Sequence, residues 1–107
     1  MPEITVSGNR INYLEGDSTD PGRPTVLMIH GAGQRVATWK RQLELLKNHP
    51  KYNLIIPDLP GHGASEGEGL RDIAGYEGFI EEFADALGLT GIIPVGHSMG
   101  GAVAMVY

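Results

Sequence analysis

The chain has 107 residues, with Lys+Arg 8 against Asp+Glu 13 and a formal charge of −5. That balance repels a phosphate backbone, and no basic run interleaved with aromatic residues offsets it, so no nucleic-acid partner is expected. Cysteine is absent, which excludes a disulfide framework and thiolate metal sites and leaves the redox compartment open.

The first residues, "MPEITVSGNR", show no charged leader ahead of an apolar core, and no apolar run in the chain approaches the ~20 residues that cross a bilayer. The expectation is a soluble, cytoplasmic protein with no membrane partner. Ile4 and Val6 alternate with polar neighbours, and Ile11 and Tyr13 resume the alternation after Gly8-Asn9, a pair that tolerates positive φ. This pattern predicts an antiparallel hairpin turning at Gly8-Asn9. "DSTDPGRP" (17–24) reads as a surface loop. "TVLMIH" (25–30), "YNLIIP" (52–57) and the shorter "GIIPV" (91–95) are near-continuous apolar runs, as parallel strands covered on both faces require. Between the first two, Trp39, Leu43 and Leu46 recur at the spacing of one helical face; between the second and third, Ile80, Phe83, Ala84 and Leu87 do the same, with Gly88 as the stop. The order hairpin, strand, helix, strand, helix, strand, helix start indicates an α/β fold with a mostly parallel, doubly wound sheet in a single domain over 1–107.

A glycine-containing loop follows each of the three apolar strands: "HGAGQ", "DLPGHGAS" and "GHSMGG". In open α/β sheets, ligands bind at that edge. The third loop is the most specific. A serine on a sharp strand-to-helix turn needs small residues two before and two after it, and Gly96 and Gly100 stand at those positions around Ser98. The hydroxyl of Ser98 then projects clear of the backbone toward the new helix's unpaired N–H groups, and the N–H of Met99 is placed to receive an oxyanion. In the first loop, His30-Gly31-Ala32-Gly33 is small enough for a second N–H, that of Ala32, to face the same cavity. A dinucleotide-binding reading of this loop fails because Val36 stands where that fingerprint wants Gly or Ala, and no "GK[ST]" occurs. His30, His62, His97 and Asp58 show no short ligand spacing, so no metal is expected, and nothing calls for a cofactor.

With "HGAG" at 30–33, Trp39 in the following helix, "DLPGHGAS" at 58–65 and "GHSMGG" at 96–101, the sequence resembles the amino-terminal half of an α/β-hydrolase fold enzyme. The similarity is to the group that includes esterases, lipases, carbon-carbon-bond hydrolases and cofactor-free haloperoxidases. It covers the chain from the hairpin onward. The resemblance implies Ser98 as nucleophile, Ala32 and Met99 as oxyanion-hole donors, and residues 58–65 as a structural loop beside the site. It also implies His30, Gly31, Gly96, His97 and Gly100 as supports of the motifs, with Gly33 and Trp39 as candidate pocket-lining residues. The family's acid and histidine follow the nucleophile in sequence, whereas all four histidines here precede Ser98. His97 points away around a tight turn, and His62 and His49 read as solvated, so the resemblance expects the acid and base outside this chain.

The function implied is a serine hydrolase that forms a covalent acyl-enzyme on a small ester, lactone, thioester or carbon-carbon-cleavable ketone. The 107-residue piece alone is expected to be nearly inactive. The alternatives are a binding or association module that keeps the elbow without turnover, and a haloperoxidase or perhydrolase sharing the same serine. "GIIPV" is expected to be a central strand whose far side the remainder of the domain covers, in the same or another chain.

Overall fold

A computed structural model describes residues 2–31, 33–67, 69, 73–89 and 91–106. Its elements are β1 (Glu3–Val6), β2 (Asn9–Glu15), β3 (Thr25–Ile29), a 3₁₀ turn (Val36–Trp39) leading into α1 (Lys40–Leu46), β4 (Asn53–Pro57), α2 (Ile73–Leu87), β5 (Ile92–Gly96) and α3 (Met99–Val106). The five strands form one sheet in the order β1-β2-β4-β3-β5. β1 and β2 are antiparallel, as are β2 and β4, whereas β4, β3 and β5 run parallel. Among the described residues no helix is long and apolar enough to cross a membrane.

The hairpin forms one residue earlier than the sequence pattern suggested. Val6 pairs with Asn9, so the two-residue loop is Ser7-Gly8 rather than Gly8-Asn9. Both loop residues have positive φ, 49° and 83°, the backbone a type I′ turn needs to follow the strands' twist. The Ser7 hydroxyl is held by the Glu82 carboxylate of α2, a tertiary contact that a local propensity argument cannot register.

After β3 the chain crosses to β4 on one side, then returns past β3 to β5 on the other, so the helices fall on opposite faces. One face buries Val6, Ile11, Leu27, Ile29, Ile55 and Val103 with Phe79, Ile80 and Phe83 of α2. The other buries Met28, Leu54 and Ile56 with Val36 and Trp39, against which Leu43 and Leu46 pack. α2 ends as expected at Gly88, with φ 67°. Gly88 N–H donates to the Asp85 carbonyl at 3.0 Å and Leu89 N–H to the Ala84 carbonyl at 3.0 Å, the paired bonds of a Schellman cap.

Among the described residues β5 has a strand partner on one side only. The Thr25 N–H donates to the Gly91 carbonyl and the His97 N–H to the Ile29 carbonyl, each at 3.1 Å. Alternation along the strand therefore turns residues 91, 93, 95 and 97 toward β3, and residues 92, 94 and 96 outward. Ile93 is 40% exposed and Met105 of α3 90% exposed. Among the described residues no strand lies beyond β5, so the side of "GIIPV" that the sequence reading assigns to the remainder of the domain is open here.

Two buried polar side chains lock the loops to this frame. Asp58, 1% exposed, accepts the Val36 N–H on Oδ1 at 2.7 Å. Its Oδ2 accepts the Asn12 Nδ2 amide at 2.8 Å and the Ala64 N–H at 3.0 Å. The 3₁₀ turn has no capping side chain of its own, and Asp58 satisfies its otherwise orphaned first donor from the end of β4. A Cβ at Gly63 would lie 2.4 Å from Asp58 Oδ2. His30, fully buried, donates from Nδ1 to the Gly31 carbonyl at 2.7 Å and accepts the Leu59 N–H on Nε2 at 3.0 Å. Burial is the main cause that holds its pKa below the ordinary 6.5.

Removing Asp58 strands three donors. Asp58→Ala is expected to cost about 3 kcal/mol or more, read as a lowered urea midpoint. Asp58→Asn is expected to be damaging too, because in either orientation its NH₂ group faces a donor, the Val36 N–H on one side or the Asn12 amide and the Ala64 N–H on the other. For His30, the unfolded chain takes up a proton near the ordinary value while the folded chain resists it. Stability is therefore full above about pH 7 and falls as the pH drops through the ordinary value to the lower folded one. Between about pH 7 and about pH 5, urea midpoints of a His30→Gln variant should fall less steeply than those of the wild type.

Candidate active site

At the carboxyl end of β5 the chain turns sharply: Gly96 ends the strand, Ser98 takes φ 57°, and α3 begins at Met99. A left-handed serine costs on the order of 1–2 kcal/mol, so the surroundings must enforce it. A Cβ on Gly96 would sit 2.0 Å from the Gly100 carbonyl oxygen, and one on Gly100 would sit 2.0 Å from that of Ile29 and 2.6 Å from that of His30. Both neighbours are backbone and cannot yield, so α3 starts against β3 only if these two positions lack side chains.

Ser98 is exposed, and its hydroxyl has no hydrogen-bond partner among the described residues. The Gly100 N–H is taken by the His97 carbonyl at 3.0 Å and the Gly101 N–H by that of Ser98 at 2.9 Å. The Met99 N–H meets no acceptor among the described residues. It is left at the positive end of α3, beside the serine.

The loop after β3 lies directly against this turn. A Cβ at Gly31 would stand 3.1 Å from Ser98 Cβ and 3.2 Å from the His97 carbonyl oxygen, so the loop and the turn lie too close to admit a side chain at Gly31 without a shift. The Gln34 N–H closes the loop on the Gly31 carbonyl at 3.1 Å, and Gly33 has φ 73°. Ala32, the expected second oxyanion donor, lies outside the described residues. The parallel register pairs Ile29 with Gly96, which brings both loops off the sheet at one level. This is the point where the chain changes face, and there doubly wound sheets hold ligands.

The remaining residues singled out from sequence fall as follows. Both ring nitrogens of His30 are used by backbone partners. His62 is less solvated than its loop suggested: it is half-buried, with its ring 5.1 Å from that of His30 and 6.3 Å from that of Tyr76, and its Nδ1 pairs with the Pro60 carbonyl at 3.0 Å. His49 is likewise half-buried, its ring tilted against that of Tyr52 at 4.9 Å, and accepts the Lys51 N–H. Trp39 sits in the core, 8% exposed, with its ring edge-on to His97 at 6.3 Å. Gly33 does line a cleft: an open space of about 760 Å³ bordered by Gly33, Gln34, Thr38, Gly61 and His62. Ser98 is not among its lining residues. A smaller cavity of about 190 Å³, by Thr25, Asn53 and Leu87, lies at the other end of the strands. Among the described residues no cluster of His, Asp or Glu converges as a metal site would.

The individual roles of four residues were not foreseen. Asn12 and Ser65 fasten the loop after β4: the Asn12 N–H donates to Ser65 Oγ at 2.9 Å, and Ser65 Oγ donates to the Asp58 carbonyl at 2.7 Å. Arg10 extends that edge by pairing with Glu66 at 3.0 Å, a bond that holds the Glu66 carboxyl below its usual range. Gln34 bonds both the first loop and the serine turn. Its signal in the sequence is only its place three residues after Gly31.

The model of the alpha/beta hydrolase family matches residues 26–107. The dihydrolipoyllysine-residue acetyltransferase component of the acetoin cleaving system of Cupriavidus necator is 39% identical over 103 residues, which cover 92% of this chain and 25% of that protein. Epoxide hydrolase 4 of Mus musculus is 28% identical over 104 residues, 94% of this chain and 28% of that one. Among solved structures, a membrane phospholipase A described as a bacterial virulence factor superimposes with a TM-score of 0.84 at 33% identity, over 99% of this chain and 34% of that one. An epoxide hydrolase of Vigna radiata does so with a TM-score of 0.76 at 26% identity, over 95% of this chain and 32% of that one. The chain thus spans roughly a quarter to a third of the length of the proteins it matches. A family match over most of the sequence, joined to a backbone that superimposes almost from end to end, makes this chain a member of the alpha/beta hydrolase family.

Proposed function

We propose that the protein containing this chain is a serine hydrolase in which Ser98 is the nucleophile. The observation that carries this reading is the left-handed, exposed Ser98, whose hydroxyl meets no partner among the described residues, set beside the Met99 N–H, which meets no acceptor among them either. Attack of Ser98 Oγ on a carbonyl forms a C–O bond and moves the carbonyl π electrons onto oxygen. The Met99 N–H receives that oxyanion, with the Ala32 N–H as second donor. Collapse of the tetrahedral species expels the alcohol, thiol or carbon leaving group and leaves an acyl-serine, which water then cleaves.

The proton from Ser98 must go to a base. His30 is occupied at both nitrogens, and the family resemblance puts the base and its supporting acid after the nucleophile, so both are assigned to residues outside this chain. A neutral hydroxyl without them is a weak nucleophile. The substrates that fit this chemistry are small esters, lactones, thioesters or carbon-carbon-cleavable ketones; an ester hydrolase, the phospholipase A, is among the structural neighbours. The outward edge of β5, with exposed Ile93 and Met105 beside it, is where the remainder of the domain would pack.

A fluorophosphonate probe tests this reading in the full-length protein. Wild type is expected to be labelled at Ser98 and Ser98→Ala to remain unlabelled, with kcat on a p-nitrophenyl ester falling at least about 10³-fold. Absence of label on folded wild type would leave a binding module as the reading. A second prediction concerns the turn itself: Gly100→Ala drives a methyl into the Ile29 carbonyl, and is expected to abolish labelling and lower the thermal midpoint together.

A further inference from the structure

We infer that Gln34 is a positioning residue that clamps the first loop to the serine turn through one amide oxygen. This rests on the reading of Ser98 above and extends it to a residue that neither the motifs nor the family match single out. Gln34 Oε1 accepts the Gly31 N–H at 2.9 Å and lies 3.3 Å from His97 Nδ1. The first bond fixes which way the amide faces, because a backbone N–H can be met only by the oxygen. An oxygen cannot donate, so His97 must carry its proton on Nδ1 for the second bond to form. Gln34 thereby selects the His97 tautomer and leaves Nε2 as the ring's acceptor.

The clamp acts where there is no slack. A side chain at Gly31 would already crowd Ser98 and His97, and the main-chain turn from the Gly31 carbonyl to the Gln34 N–H ties the same loop. The Trp39 ring stands edge-on to His97, so the imidazole is held between two side chains that both come from the segment after β3. Ala32 follows Gly31 and Met99 follows Ser98 in sequence. The separation of the two proposed oxyanion donors is thus set by how the Gly31 backbone seats on the serine turn, and Gln34 fixes that seating. It also gives His97 a task other than general base.

The test uses Gln34→Ala, Gln34→Met and Gln34→Glu in the full-length protein. Met keeps the volume without the acceptor, and Glu keeps an oxygen that both donors can reach. Loss of the clamp should lower kcat and the fluorophosphonate labelling rate about 10- to 100-fold in the Ala and Met variants, with KM little changed. Glu should recover most of the loss. The ¹⁵N shifts of the neutral His97 ring should report Nδ1–H in the wild type and a shift toward Nε2–H in Gln34→Met. Labelling and kcat within about twofold of wild type in both Ala and Met variants would overturn the assignment, as would a His97 tautomer indifferent to the substitution. If folded wild type is not labelled at all, the reading of Ser98 fails. The tautomer then decides the clamp by itself: a change on Gln34→Met upholds it and no change ends it.

Discussion

The carboxyl edge of this sheet depends on a place where three stretches of main chain come within van der Waals reach of one another. The first turn of α3 rests on the carbonyls that close β3, and Gly96 and Gly100 are the residues that permit it. Had either carried a methyl group, the helix would start farther out, the serine would lose the compression that keeps it left-handed, and Gly31 would no longer lie so close to it. Steric exclusion, more than any hydrogen bond, fixes where Ser98 stands. The hydrogen bonds then decide how the neighbouring loops arrange themselves around it.

Those loops are held by buried polar groups, and the division of labour is clear. Asp58 gathers donors from β2, from the start of the first helical turn and from its own loop. His30 joins the first loop to the second through a donor and an acceptor on one ring. Such groups are costly to bury and are stable only when every partner is present. The apolar clusters on the two faces supply the bulk of the burial, and the polar latches specify which loop lies against which.

The sequence was most legible where a single residue's geometry decides the outcome. The three apolar runs became strands with boundaries shifted by a residue at most, Gly88 capped α2, and the glycines around Ser98 stand where the turn needs them. The α/β architecture and the family followed from that. What stayed hidden depends on partners far apart in the chain. Ser7, not Asn9, entered the hairpin turn, with its hydroxyl on Glu82 of α2. His62 looked solvated until His30 and Tyr76 came beside it. Gln34 drew no reading of its own because its two partners, Gly31 and His97, lie in different motifs.

Pro94 sits in β5 with its nitrogen on the side away from β3, as the Thr25 and His97 bonds require. Proline has no N–H, so the interrupted donor falls on the unpaired margin, and the inner ladder with β3 keeps its full set of bonds. A strand joining there gains amide donors from Ile92 and Gly96 alone, with a gap between them. Any association at this margin would therefore draw on side-chain fit around Ile93 and Met105 as well as on main-chain pairing. The same gap makes this margin a poor template for indiscriminate stacking of extended segments.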